Sequence, residues 1–312
     1  MPVGVTITGG WETFRTVRID KLAVWINTIG YRSQELVDFA RRLEAWGYGT
    51  LWINDGMGSD PMVLAARILA GTGRLQVALG VANIYSRDPT MMLGAQYGLN
   101  EQWGGRFLLG MGVSHPFIVE GMRGHQYARP LGAMRAYLEA MQAIDYPGPR
   151  PAEKPLTVIA ALGPKMLGLA RDLADGAHPF STTPEHTAMA REVLGPGKLL
   201  LVEQKVMLEN NPEAARAVGR GLVSGLAGIP NYRRNFLRMG FTEAEIDNGG
   251  SDRAADAMLA WGGPEAIRAR LQAHWDAGAD QVAMQVMPKA GGLLTPEDEK
   301  LLELLAPGPT SG

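Results

Sequence analysis

Two titratable side chains stand where chemistry could be done. Asp55 lies in Asn54-Asp55-Gly56, and His115 closes Gly112-Val113-Ser114-His115. Each follows a short apolar run. A carboxylate there can serve as a general base, accept a hydrogen bond from a ligand, or cap the next helix. An imidazole there can donate a proton or be a satisfied loop histidine. Three apolar runs end in small residues: Gly80-Val81-Ala82-Asn83, Gly112-Val113-Ser114 and Leu162-Gly163-Pro164. Such ends let a flat ligand lie against backbone, and they also suit tight turns. Leu162-Gly163-Pro164 opens a helix whose free N–H groups can hold an anion. Lys165, in the first turn, opposes the helix dipole unless it faces a phosphate, and otherwise it is a solvated side chain. Arg87, next to Asp88, either forms a local ion pair or reaches an acidic ligand.

Composition removes other chemistries. With no cysteine there is no disulfide, iron–sulfur cluster, thiolate zinc site or cysteine nucleophile. The five histidines show no ligand spacing, so no metal is expected. The P-loop, the G-x-S-x-G elbow and the H-E-x-x-H helix are absent. Gly71-Thr72-Gly73 leads into a strand rather than out of one, the wrong side for a dinucleotide-binding turn. A formal net charge of −2, from 30 basic and 32 acidic residues, argues against a nucleic-acid partner. No apolar stretch is long enough to span a membrane, and the first twenty residues lack a secretory pattern, so a cytoplasmic location is expected.

The elements that must hold these residues alternate along the chain. Strand-like runs at Leu22–Asn27, Thr50–Asn54, Leu75–Val81, Phe107–Gly112, Thr157–Ala161, Gly176–Phe180, Leu199–Leu208 and Gln281–Met287 are separated by helical segments. Helices are expected over Ser33 to Trp46, from Pro61, from Pro89 to about Gln102, from about Arg129 to Ala143, and from Pro164, Pro184 and Pro296. A long helical stretch, Pro212 to Ala277, is broken by glycine-rich turns at Gly225–Pro230 and Asn248–Ser251. Eight near-continuous apolar strands alternating with helices predict an α/β fold, a (β/α)8 TIM barrel, over a doubly wound open sheet. One domain covers residues 1–312, with an N-terminal extension at 1–20, a helical insertion after the seventh strand at about 212–261, and a disordered tail at 307–312. In a barrel, chemistry belongs at the C-terminal strand ends, which is where the residues named above fall.

The combination of segments in order also resembles a known family. LEAWGYGTLWIND (Leu43–Asp55), QWGGRFLLGMGVSH (Gln102–His115) and VIAALGPKMLGLARDLADGAHPF (Val158–Phe180) resemble the second, fourth, and fifth-to-sixth units of the luciferase-like monooxygenase superfamily. VANIYSRDP (Val81–Pro89), GVSHPFIVEGMRGHQY (Gly112–Tyr127) and IPNYRRNFLRMGF (Ile229–Phe241) are similar to its actinobacterial branch of F420-dependent oxidoreductases. The resemblance spans about Lys21 to Met287. It implies a luciferase-like barrel and hydride transfer between coenzyme F420 and a small organic substrate. It implies a cofactor ring supported by Gly80, Val81 and Asn83, with a non-proline cis peptide near Gly80–Val81. Asp55 would contact the ring edge or the substrate. Gly112, Val113 and Ser114 would line the near wall, and Leu162, Gly163 and Pro164 would hold the phosphate. Arg87 or Lys165 would lie near an acidic tail. Relatives often end the second strand with Asp-His; here the pair is Asp55-Gly56, so either His115, the leading candidate, or another group takes the acid–base role, or the reaction needs no such acid. The scaffold also allows an FMN-dependent monooxygenase using reduced flavin and oxygen, or a non-catalytic flavin-binding protein. The expected partners are a second copy of the chain, as a homodimer, and indirectly a flavin or F420 reductase.

Overall fold

A computed structural model describes residues 3–4, 18–56 and 58–308. The chain opens with β1 (Val3–Gly4) and β2 (Arg18–Ile19), which pair antiparallel. Residues 1–2 and 5–17 of the expected extension, and 309–312 of the expected tail, lie outside the described residues. Gly308 does pack: its carbonyl oxygen sits where a Cβ on Gly47 would lie.

Alternating elements follow: β3 (Leu22–Ile26), α1 (Ser33–Trp46), β4 (Thr50–Ile53), α2 (Pro61–Gly71), β5 (Gln76–Leu79), the two-residue β6 (Ala82–Asn83), α3 (Pro89–Gln102) and β7 (Phe107–Gly112). Then come α4 (Pro116–Val119), α5 (Pro130–Gln142), β8 (Thr157–Ile159), α6 (Pro164–Leu173), β9 (Gly176–Ala177), α7 (Pro184–Leu194) and β10 (Leu199–Leu208). The C-terminal third contains α8 (Pro212–Ala227), α9 (Pro230–Arg238), α10 (Glu243–Ile246), α11 (Asp252–Met258), β11 (Leu259–Gly262), α12 (Pro264–Asp276), β12 (Gln281–Val286) and α13 (Pro296–Leu304).

Eight parallel strands close on themselves in the order β3-β4-β5-β7-β8-β9-β10-β12, with β12 pairing back onto β3. This is a (β/α)8 barrel. The strands read as continuous apolar runs because both faces are buried. Side chains of one parity, among them Ala23, Trp25, Trp52, Ala78, Leu108 and Leu201, fill the barrel interior. The other parity, including Val24, Leu51, Ile53, Val77 and Leu109, packs outward against helices. Leu36, Val37, Phe39, Ala40 and Leu43 of α1 form the apolar stripe that meets that layer. Gly47, at φ 93°, ends α1 in the left-handed region that a side chain would oppose. Proline opens most helices because its missing N–H and fixed φ suit a first turn. Asp60, Asp88 and Asn211 precede three of those prolines and cap the next two free amides.

The structure corrects the sequence reading at three places. The stretch expected to be helical over about 212–261 also contains a strand: β11 pairs in parallel with the end of β10, Lys205 opposite Leu259 through Leu208 opposite Gly262. Leu-Ala-Trp-Gly is too short to carry a period and follows helix α11 directly, which hid it. The loop after β7 contains the short helix α4. Strand nine stops at Ala177, because His178 and Phe180 turn toward the site.

Candidate active site

The bond between Gly80 and Val81 is cis. It lies between β5 and β6, and places Val81 in the wall of a cavity of about 750 Å³ at the C-terminal mouth of the barrel. That is the size of a small-molecule or cofactor site. Gly112 lies opposite Val81. A Cβ there would stand 2.5 Å from Val81 Cγ2, so the glycine is what allows the two strand ends to approach. Gly112, Val113, Ser114 and His115 continue the wall, as do Leu162, Gly163, Pro164 and Lys165. Ser114 adopts φ 58° and its carbonyl accepts from Tyr127 Oη at 3.3 Å, which holds the post-strand loop inward.

Asp55, Gly80, Asn83 and Arg87 stand outside this wall. Asp55 accepts the Asn83 amide at 2.9 Å, tying the end of β4 to β6 directly behind Val81. Burial pushes its carboxyl up from the usual range, against the Asn83 amide and the positive field of Arg123. Arg87 pairs with Asp60, not with its neighbour Asp88, which is occupied in capping α3. Its carbonyl accepts from Tyr137 Oη at 2.7 Å. Arg87 is thereby committed to the fold and does not line the cavity. Position 56 is crowded rather than vacant: a Cβ there would meet Ile29 Cγ1 at 2.9 Å and Asn54 Nδ2 at 3.1 Å.

His115 faces the cavity. Burial pulls its pKa below the ordinary imidazole value, opposed by a hydrogen bond with the Asn231 side chain. Its Nδ1 is buried without a partner. Phe117 lies parallel to the ring, with centroids 5.9 Å apart, and Tyr232 packs at 5.8 Å. A neutral imidazole with one free nitrogen can accept a proton or a hydrogen bond there.

The opposite end is positive. Helix α6 begins at the cavity, capped only by the Gly163 backbone, so its first amides stay available. The Leu162 carbonyl receives the Nε2–H of His186 at 2.7 Å, which fixes the turn that presents those amides. Arg238, one helical turn beyond Arg234 on α9, brings a guanidinium nitrogen within 3.2 Å of where a Cβ on Gly163 would be. Arg234, Arg238 and Lys165 all line the cavity. No carboxylate pairs with any of them among the described residues, whereas most other arginines on α8 and α9 are paired.

Sequence reasoning missed the residues that α9 and β9 contribute. Tyr232, Arg234 and Arg238 come from a helix in the insertion folded back over the barrel mouth. The spacing of Arg234 and Arg238, four apart on one helical face, was the available signal. His178 and Phe180 follow β9 and form the deep end. His178 stacks on Trp52 with centroids 4.1 Å apart and planes 6° apart. Below Phe180, Lys205 and Glu203 form an interior ion pair at 3.1 Å. Ser181 completes it: its amide donates to Glu203 at 2.9 Å, and its hydroxyl accepts from Lys205 at 2.6 Å.

The geometry is that of a barrel with an apolar stretch of cavity wall, free helix amides and cations at one end and His115 and Tyr232 at the other. The chain belongs to the luciferase-like monooxygenase family, which matches it over residues 19–281. It is 24% identical over 279 residues to a Mycobacterium tuberculosis protein provisionally named a coenzyme F420-dependent oxidoreductase, covering 72% of this chain and 80% of that one. It is 25% identical over 317 residues to a 5,10-methylenetetrahydromethanopterin reductase of Archaeoglobus fulgidus, covering 87% and 93% of the two chains. Its fold is similar to that of a solved F420-dependent secondary alcohol dehydrogenase, with a TM-score of 0.75, 11% identity, and 93% and 99% of the two chains covered.

Proposed function

We propose that this enzyme transfers a hydride between coenzyme F420 and a small organic substrate. The observation that carries the reading is the polarity of the cavity. Three cations without acidic partners among the described residues line the cavity at the free end of α6, and an apolar stretch of wall, with Val81, Gly112 and Val113, leads away from them. A flat ring bearing a phosphate and an acidic tail fits that gradient, with the ring against Val81 and Val113 and the anion on Gly163, Lys165, Arg234 and Arg238. When bound, the deazaflavin supplies a carbon that gives or takes a hydride.

The chain's own groups provide orientation and proton handling. Asp55 and the Asn83 amide hold the backbone behind the ring slot. His115, kept neutral by burial, is the group placed to hold a proton at Nδ1. Phe117, Phe180 and Tyr232 keep water from that end. The name of the Mycobacterium tuberculosis relative supports the choice of F420. The family name supports a second reading, oxygenation with reduced FMN, since FMN also carries a ring and a phosphate.

Titration of the purified protein with F420 and, separately, with FMN distinguishes the two by fluorescence quenching. Tight F420 binding with weak FMN binding is the expected result. The reverse preference would overturn the hydride-transfer reading.

A further inference from the structure

Phe180 stands between the cavity and a buried ion pair. Its ring lines the cavity, and the ring centroid lies 3.8 Å from Lys205 Nζ. Lys205 and Glu203 are 4% and 0% exposed, and neither lines the cavity. The ammonium meets the two Glu203 carboxylate oxygens at 3.1 and 3.2 Å and the Ser181 hydroxyl at 2.6 Å. The Phe180 ring covers it further as a cation–π partner. Trp25 and Tyr232 flank that ring, with centroids at 5.2 and 6.4 Å.

The chain is anchored on both sides of Phe180. His178 Nδ1 lies 2.7 Å from the Leu201 carbonyl oxygen. A carbonyl oxygen only accepts, so Nδ1 carries the hydrogen and the tautomer is fixed. The Glu203 amide donates to the Pro179 carbonyl at 3.1 Å. The Ser181 amide donates to the Glu203 carboxylate at 2.9 Å, with Ser181 at φ 55°. Residues 178–181 are thus tied one after another to β10, and Glu203 and Lys205 supply most of the bonds.

We infer that Phe180 is a specificity-determining residue, which hides the Lys205–Glu203 pair from the substrate and restricts its end of the cavity to an uncharged group. The inference rests on the hydride-transfer reading above, which gives the cations of the α6 end to the cofactor. A bare ammonium at the Phe180 end would hold a carboxylate by charge-assisted hydrogen bonds. Phe180 denies it that contact and presents a carbon ring instead. An ammonium on the substrate gains nothing either. No aspartate or glutamate lines the cavity among the described residues, and Glu203 is held by Lys205 and Ser181. A charge brought to this end loses its water and finds no counter-ion, a cost that an uncharged group of the same shape avoids.

The first test needs no ligand. Acetic anhydride modifies accessible lysines, and mass spectrometry locates the product. Lys205 is expected to stay unmodified in the wild type and in Phe180→Leu, which keeps an apolar cover, and to be modified in Phe180→Ala. A reactive Lys205 in the wild type, or an unreactive one in folded Phe180→Ala, overturns the inference. The second test compares benzamide with benzoate, which share a shape and differ in charge, by calorimetry on protein saturated with F420. The wild type is expected to bind benzamide at least about tenfold more tightly. Phe180→Ala combined with Glu203→Gln uncovers the ammonium and frees it from its carboxylate, so benzoate is expected to gain about tenfold or more over the wild type. A wild type that binds benzoate as tightly as benzamide overturns the inference, as does a double variant without the gain. Titration of the wild type with F420 and FMN separates the two ideas. A preference for FMN sinks the cofactor reading and leaves the labelling result standing, and the two probes are then compared on FMN-loaded protein.

Discussion

Val81 Cγ2 fills the space that a side chain at Gly112 would need, 2.5 Å from the Cβ position. Val81 and the end of β7 are therefore one packing unit. Gly112→Ala must displace Val81 or β7, and overpacking of this kind costs about 1–3 kcal/mol. The expected outcome is a lower melting temperature together with weaker F420 binding, read by calorimetry and by quenching. Unchanged cofactor affinity would show that Val81 does not support the ring.

Arg238→Gln and Arg234→Gln remove two unpaired cations from the α6 end. Charge-assisted hydrogen bonds are worth about 1.5–3 kcal/mol, so each substitution should weaken F420 about 10- to 100-fold. Affinity of the wild type should fall with rising salt, and the slope should flatten in the variants. Stability should barely change, because neither guanidinium is in an ion pair among the described residues. Quenching titrations across a salt series decide it.

Acid should destabilise the fold through its buried imidazoles. Burial lowers His178 to about 4 and His274 to about 3, whereas in the unfolded chain both titrate near the ordinary value. Between those values the unfolded chain holds more protons. Stability is therefore full above about pH 6.5 and falls as pH drops toward 4, by up to about 1.4 kcal/mol per pH unit for each group. His274 donates from Nε2 to Gln204 Oε1 at 2.9 Å and lies 2.8 Å from the Thr187 hydroxyl through Nδ1, so it is burial, more than its partners, that disfavours the charged ring. Urea unfolding at several pH values measures the slope, and His178→Phe should reduce it. A flat profile would contradict the assignment of both rings as neutral.

The interior Lys205–Glu203 pair predicts non-additive behaviour. Lys205→Met alone leaves a carboxylate inside the barrel, which costs about 3–5 kcal/mol. Adding Glu203→Gln removes the orphaned charge, so the double variant should be more stable than the single one. Denaturation midpoints of the three proteins test this. A double variant less stable than Lys205→Met would mean that the carboxylate is held chiefly by the Ser181 amide.

The barrel was legible because its rules are local. Apolar runs, prolines at helix starts and glycines at helix ends lie within a few residues of what they determine. Ser33–Trp46, Pro89–Gln102 and Phe107–Gly112 have the bounds their patterns indicate. The near wall was legible for a related reason: once strands are ordered, their C-terminal ends define a ring, and Gly112 to His115 and Leu162 to Lys165 fall on it. Arg87 shows where that logic stops. Its partner Asp60 comes from the preceding unit, and no spacing within either segment indicates the pairing. His178 was visible at a strand end, but its tautomer depends on Leu201 and its aim on Trp52. Tyr232 and Arg238 lie on a helix whose spacing was readable, but their arrival at the cavity was not. They arrive from an excursion whose return path is a tertiary property.

The length of β10 governs that excursion. Its first residues pair with β9 and its last with β11, so a single strand anchors both the departure of the chain after Leu208 and its return at Leu259. The segment between behaves as a handle riveted at both ends to one bar. Closing a loop already pinned at its feet adds little entropy cost as the loop grows. The barrel can thus hold its framework constant while this cassette, which carries Tyr232, Arg234 and Arg238 to the cavity, is exchanged or rewritten.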